Sequence, residues 1–172
     1  MVGRKIMSGD FNLTRISFPI RCMSPQSVLM QTTGFATTLP VLMNRAAKTT
    51  DPVERLKLVM TSNFCWYLYN QLFVKPLNPI LGETYEAIGQ DGARFYFEQT
   101  AHHPPRSHFY VDGPDGLYTM NGHTEYEIYA GVQSSDVNCI GFKQIKFADG
   151  GHIKWNLNND HIGGIFIGTM VH

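Results

Sequence analysis

After Thr84 the chain is cut at short, fairly even intervals by glycine- and asparagine-rich signals: GQDG at 89–92, DGPDG at 112–116, NG at 121–122, ADGG at 148–151 and NND at 158–160. Residues of this kind supply the backbone conformations that tight hairpin turns demand, so each marks an expected chain reversal. Between them lie ARFYFEQ, SHFYVD, LYTMN, TEYEIYA, CIGFKQIKF, HIKWNL and HIGGIFIGTMV, rich in aromatic and β-branched residues with partial alternation. Regular strand spacing without intervening helices predicts an antiparallel meander that curls into a barrel or sandwich. The fold class is therefore α+β, with helices gathered ahead of the sheet. The aromatics of these segments, among them Phe95, Tyr96, Phe97, Tyr110, Tyr129, Phe147 and Trp155, read as core, or as the lining of a barrel that holds an apolar guest.

The change of period falls near Lys75. Ahead of it, TTDPVER opens a helix: Asp51 is placed to cap it, Pro52 suits the first helical position, and Glu54 completes a capping-box pattern. Its apolar stripe runs Leu56, Val59, Met60, Phe64, Tyr67, Leu68 and Leu72 at helical spacing. A shorter helical stretch is expected between Ser27 and Lys48, broken near Gly34 and Pro40.

Composition narrows the function classes. Lys and Arg number 14 against 14 Asp and Glu in 172 residues, so the zero net charge lacks the basic excess of a nucleic-acid binder. Three cysteines without a CxxC pair indicate neither a disulfide framework nor a cysteine zinc site, which fits a reducing, cytoplasmic setting. The N-terminus has no apolar signal core, and the apolar stretch at 162–171 is too short and glycine-rich to span a bilayer. Any membrane contact is therefore expected to be peripheral. The chain stops in or just after an apolar strand, so either a longer domain or a partner is expected to cover that edge.

Two segments carry chemistry. KPLNPILGETYE (75–86) uses two prolines and a glycine to fix an irregular loop that presents Lys75 and the Asn78 amide, although a plain helix-to-strand connector has the same composition. EQTAHHPP (98–105) sets two histidines before a Pro-Pro pair that restricts His103 and re-aims both rings. With Lys75 they form a set of nitrogen donors suited to a phosphate headgroup, while ordinary strand-end histidines remain the plain alternative. A metal site built from Glu98, His102, His103, His108 and His123 lacks any HExxH or CxxC spacing. No nucleophile elbow, Walker loop or dinucleotide fingerprint is present, so no enzyme, cofactor or metal is expected. The glycines at 163–164 read as a strand bulge.

At these segments the chain resembles the oxysterol-binding-protein-related family. EQTAHHPP is similar to that family's EQVSHHPP signature, with Thr100 and Ala101 in place of Val-Ser, and KPLNPILGETYE is similar to its KPxNPxLGETYE block. DPVERLKLV (51–59) resembles the family's DPxERxxxV helix start, and DFNLTRISFPI (10–20) its N-terminal lid region. The resemblance implies an incomplete β-barrel around a hydrophobic lipid tunnel, with N-terminal helices and a lid. It implies a lipid-transfer module that exchanges a sterol or phosphatidylserine for phosphatidylinositol 4-phosphate, peripherally at membrane contact sites. Lys75 and Asn78 would then contact lipid phosphates, His102 and His103 the inositol 4-phosphate, and a lid including Leu13, Ile16 and Pro19 would close over the lipid. On that frame residues 1–25 are lid-like, 26–73 helical and 74–172 barrel strands of one domain. The family domain is longer, so this chain looks like its N-terminal portion, with a truncated membrane- or partner-association piece as the alternative reading.

Overall fold

The computed structural model describes residues 20–32, 35–69, 75–130 and 134–163. A single 3-10 turn at Ile20–Cys22 leads into a short strand β1 (Met23–Ser27), followed by helices α1 (Val28–Thr32), α2 (Phe35–Lys48) and α3 (Pro52–Tyr69). Strand β2 (Lys75–Leu77) returns to pair in parallel with β1. An antiparallel sheet follows: β3 (Thr84–Ile88), β4 (Arg94–His102), β5 (Pro105–Asp112), β6 (Tyr118–Ala130), β7 (Ser134–Phe147), β8 (His152–Asn156) and β9 (Asp160–Gly163). Strands β3 to β8 are neighbours in sequence order, and β9 shares with β8 the outer edge of the long β7. This is the meander the turn signals predict, left open at β3 and at β8 among the described residues.

Helix α3 begins as its sequence dictates. Asp51 Oδ1 accepts the amides of Val53 at 2.9 Å and Glu54 at 3.4 Å, relieving the unpaired donors of the first turn. The expected capping box is not closed by Glu54, since the Asp51 amide donates instead to Thr49 Oγ1. Arg55 then reaches across three elements. Its guanidinium donates to the carbonyls of Ala46 and Thr49, pairs with Asp149 in the β7–β8 turn, and lies over the Phe147 ring. The bond from Arg55 holds the Asp149 carboxyl below its usual range.

The core lies between the helices and one face of the sheet. Leu29, Met43, Ala46, Leu58 and Val59 meet Phe95, Phe97, Val111, Met120, Ile145 and Phe147. Alternation selects the sheet residues: in β4 the buried positions are 95, 97 and 99, and the residues between them face out.

Four expectations need correction. The NG at 121–122 is no turn: LYTMN and TEYEIYA form one continuous strand, with Gly122 opposite both Phe109 and Lys143. A Cβ there would press on the Phe142 carbonyl and lie 2.9 Å from the Phe109 ring, so the glycine serves close backbone approach. Pro40 does not break its helix, because α2 runs through it and buries Pro40 beside the Met43 and Ala46 contacts that hold the helix down. Leu56, Met60 and Phe64 are exposed, since the face set by Arg55, Leu58, Val59 and Ser62 is the one turned inward. Tyr96, Tyr110 and Tyr129 lie on the outer side rather than in the core, the first two as a cross-strand ring pair. Leu72, the lid residues Leu13, Ile16 and Pro19, and the final apolar run lie outside the described residues.

Gly122→Ala is expected to lower unfolding stability by about 2–3 kcal/mol, because the new methyl has no room to fit without moving backbone. Gly163→Ala, whose Cβ would meet, among the described residues, only the His161 ring at 3.7 Å, should stay within about 0.5 kcal/mol. Urea unfolding midpoints of the two variants check the contrast.

Candidate functional site

The two motif segments are fastened to each other by one buried residue. Gln99 in β4 is 1% exposed. Its backbone amide donates to the Glu83 carbonyl and its carbonyl accepts the Gly82 amide, both at 2.9 Å. Its side-chain oxygen accepts the Ser107 hydroxyl of β5, and its side-chain amide donates to the Ala101 carbonyl at 2.6 Å. A buried amide with its donors and acceptor engaged on several sides is stable only in one arrangement of its neighbours. Gly82 adopts φ +78°, a conformation that glycine takes without strain, and so turns the loop onto β4.

Within the loop, Lys75 Nζ donates to Asn78 Oδ1 at 2.8 Å, and the Ile80 amide donates to the Glu83 carboxylate at 3.1 Å. Lys75 is partly buried, which lowers its pKa from the usual value, and Asn78 is exposed. At the end of β4, His102 and His103 are both exposed, with ring centroids 4.6 Å apart and planes tilted by 58°. The His103–Pro104 bond is cis, and Pro105 pairs back to His102 as β5 begins. The structure therefore joins Lys75 to Asn78 and His102 to His103, and Gln99 ties the loop carrying the first pair to the strand carrying the second.

The other histidines form a different arrangement on the outer face. His108 Nδ1 lies 2.7 Å from Thr100 Oγ1, its ring is 5.2 Å from that of His123, and His123 meets the Phe142 ring edge-on. Burial, with His123 and Arg106, lowers the His108 pKa, while Glu98 opposes the shift. Among the described residues no group of three or more His, Cys, Asp or Glu is placed to hold a metal ion.

Between the helices and the inner sheet face is a cavity of about 70 Å³, partly open to solvent. Its walls are mainly apolar, among them Leu29, Phe97, Val111 and Met120. One part of the wall is polar. Lys143, 9% exposed, donates to Asn63 Oδ1 at 3.2 Å, and Trp155 Nε1 donates to the same oxygen at 3.4 Å. Burial pulls the Lys143 ammonium down to about 8 from 10.5, with the Cys139 thiol opposing. Sequence reading passed over Gln99, Asn63 and Lys143. A signal for Lys143 was present: it shares the inward parity of Ile145 and Phe147, where a lysine is out of place.

Comparison with known proteins accords with this arrangement. The oxysterol-binding protein family model matches residues 2–172. Oxysterol-binding protein 9 of Dictyostelium discoideum is 36% identical over 172 residues, 99% of this chain and 40% of that relative. Human oxysterol-binding protein-related protein 6 is 39% identical over 100 residues, 56% of this chain and 10% of that relative. Among solved structures, the Osh1 ORD domain in complex with ergosterol superposes with TM-score 0.80 at 26% identity, covering 92% of this chain and 39% of that one. The Osh3 ORD of Saccharomyces cerevisiae in complex with PI(4)P gives TM-score 0.81 at 22% identity, covering 99% and 46%. The open sheet is thus part of an incomplete barrel of that type, and the chain spans well under two thirds of these relatives.

Two outcomes are expected. Gln99→Met should cost about 2 kcal/mol, since the Ser107 hydroxyl and the Ala101 carbonyl lose a buried partner; urea midpoints test it. For Lys143 the folded pKa lies below the unfolded one, so the unfolded state binds more protons between about pH 8 and 10.5 and stability rises over that window. Burial pushes the Cys139 thiol up to about 11, which acts in the opposite sense in the same range. The difference in urea midpoint between the parent and Lys143→Met across that range isolates the lysine, and a pH-independent difference would contradict the assignment.

Proposed function

The chain belongs to the oxysterol-binding protein family, and we propose that it is a non-enzymatic lipid-binding module that moves lipid between membranes. The observation that carries this reading is the apolar cavity between helices and sheet, in a fold whose β4 ends in the two exposed histidines. A sterol or phosphatidylserine would occupy the cavity in exchange for phosphatidylinositol 4-phosphate. Burial of the lipid's apolar surface, worth about 25 cal/mol per Å², drives uptake. Lys75 and Asn78 would face the lipid phosphates, and His102 and His103 the inositol 4-phosphate, because charge-assisted nitrogen donors suit a phosphomonoester. The lid at Leu13, Ile16 and Pro19 belongs to this proposal, as does the division into lid, helices and barrel strands at 1–25, 26–73 and 74–172. No described helix is long and apolar enough to cross a membrane, and action at membrane contact sites would be peripheral.

A second reading has one observation in its favour. Val53, Leu56, Met60 and Phe64 form an exposed apolar stripe on α3, as expected for a piece that associates with a membrane or partner without transferring lipid.

Extraction from liposomes containing phosphatidylinositol 4-phosphate separates the two. The parent chain is expected to extract the lipid, and His102→Ala/His103→Ala to lose about tenfold or more at an unchanged melting temperature. Extraction by neither protein favours the second reading, and equal extraction by both removes the histidines from the site.

A further inference from the structure

The loop that carries Lys75 and Asn78 has an apolar tip. Residues 76–82, PLNPILG, contain no charged side chain, and within them Leu77, Ile80 and Leu81 are 36%, 70% and 64% exposed. Single exposed aliphatics are ordinary on a protein surface, but the backbone beneath these sets them apart. The Ile80 amide donates to the Glu83 carboxylate at 3.1 Å, the Glu83 amide to the Ile80 carbonyl at 3.0 Å and the Gly82 amide to the Gln99 carbonyl at 2.9 Å. Pro79 has no amide to satisfy. Donors bonded within the fold ask nothing of water, so this tip can enter an apolar medium without the penalty that unpaired amides carry. The same bonds hold the tip in one shape, which spares the ordering cost that a loose loop meets on docking.

We infer that Ile80 and Leu81 insert into the surface of a lipid bilayer and seat the mouth on it. The inference rests on the proposed reading of the chain as a lipid-transfer module and adds the part of it that touches the membrane. Apolar side chains that enter a bilayer interface sit about 5–10 Å deep, at the boundary between headgroups and acyl chains. The segment reproduces that layering: the aliphatic pair follows Lys75 and Asn78 in one short loop, so donors suited to phosphates stand beside side chains suited to acyl chains. Glu83, the acid next to the tip in sequence, turns its carboxylate onto the Ile80 amide.

Cosedimentation with vesicles of phosphatidylcholine alone tests the inference, since without phosphoinositide the histidine pair has no inositol phosphate to bind. Ile80→Ser/Leu81→Ser is expected to lower the partition coefficient about tenfold. Val41→Ser/Ile88→Ser removes two aliphatics of similar exposure, 61% and 76%, from α2 and from the far end of β3. That variant should stay within about twofold of the parent, and both should keep its melting temperature because all four side chains are exposed. In Leu81→Trp, vesicles with brominated acyl chains should quench more fluorescence than in the parent. No loss in the first variant, an equal loss in both, no added quenching, or a parent that does not bind the vesicles overturns the inference. So does a parent dimer that becomes monomeric in Ile80→Ser/Leu81→Ser, which assigns the tip to a second copy. Extraction of phosphatidylinositol 4-phosphate is read separately: extraction with a tip that has no effect on vesicle binding overturns the docking and leaves transfer standing, whereas docking through the tip without extraction overturns transfer alone.

Discussion

The arrangement of the mouth depends on the hydrogen bonds of Gln99. At 1% exposure neither the Gln99 carboxamide, satisfied by Ala101 and Ser107, nor its backbone, satisfied by Glu83 and Gly82, can turn to water for partners, so those four groups must stay where they are. That single requirement fixes the loop of 75–83 on β4, the approach of β5, and the segment that leads into His102 and His103. The two donor pairs are far apart in sequence, yet each is attached to the same buried residue.

Farther in, the sheet has two characters because its side chains alternate. Inward positions of β4 to β7 supply aromatic and aliphatic rungs for the core, while outward positions hold the Tyr96–Tyr110 pair, the Arg106–Glu125 ion pair and the His108–His123–Phe142 series. A one-residue slip would exchange these sets. Gly122 helps prevent it, because only at that register does a residue without a side chain meet the Phe142 carbonyl and the Phe109 ring.

Much of this was legible in the residues. Hairpin signals at 89–92 and 148–151 mark real reversals, with Gly92 and Gly150 at positive φ, and Asp51 caps the helix it precedes. The NG at 121–122 misled because a glycine required for close packing carries the same local signature as one required for a turn; only the partner strands distinguish them. The apolar stripe of α3 misled for a similar reason, since periodicity shows that apolar faces exist and not which one meets the sheet. At the site, Lys75, Asn78 and the histidines announced themselves by motif. Gln99 sat inside a motif and was masked by its neighbours, and the polar wall of Asn63, Lys143 and Trp155 has no sequence spacing at all, being assembled from three elements by the fold.

Helix α3 carries apolar residues on two sides: Leu58 and Val59 inward, and Val53, Leu56, Met60 and Phe64 outward. By apolar area alone, rolling such a helix about its axis would exchange one greasy face for another at little net cost, so hydrophobicity leaves its rotational phase nearly undetermined. The phase is set instead by two polar side chains at the ends of the inward face. Arg55 engages Asp149 and the carbonyls of Ala46 and Thr49, and Asn63 engages Lys143 and Trp155. They work as indexing pins, and the directional bonds that locate the helix are at one end the same bonds that shape the cavity wall.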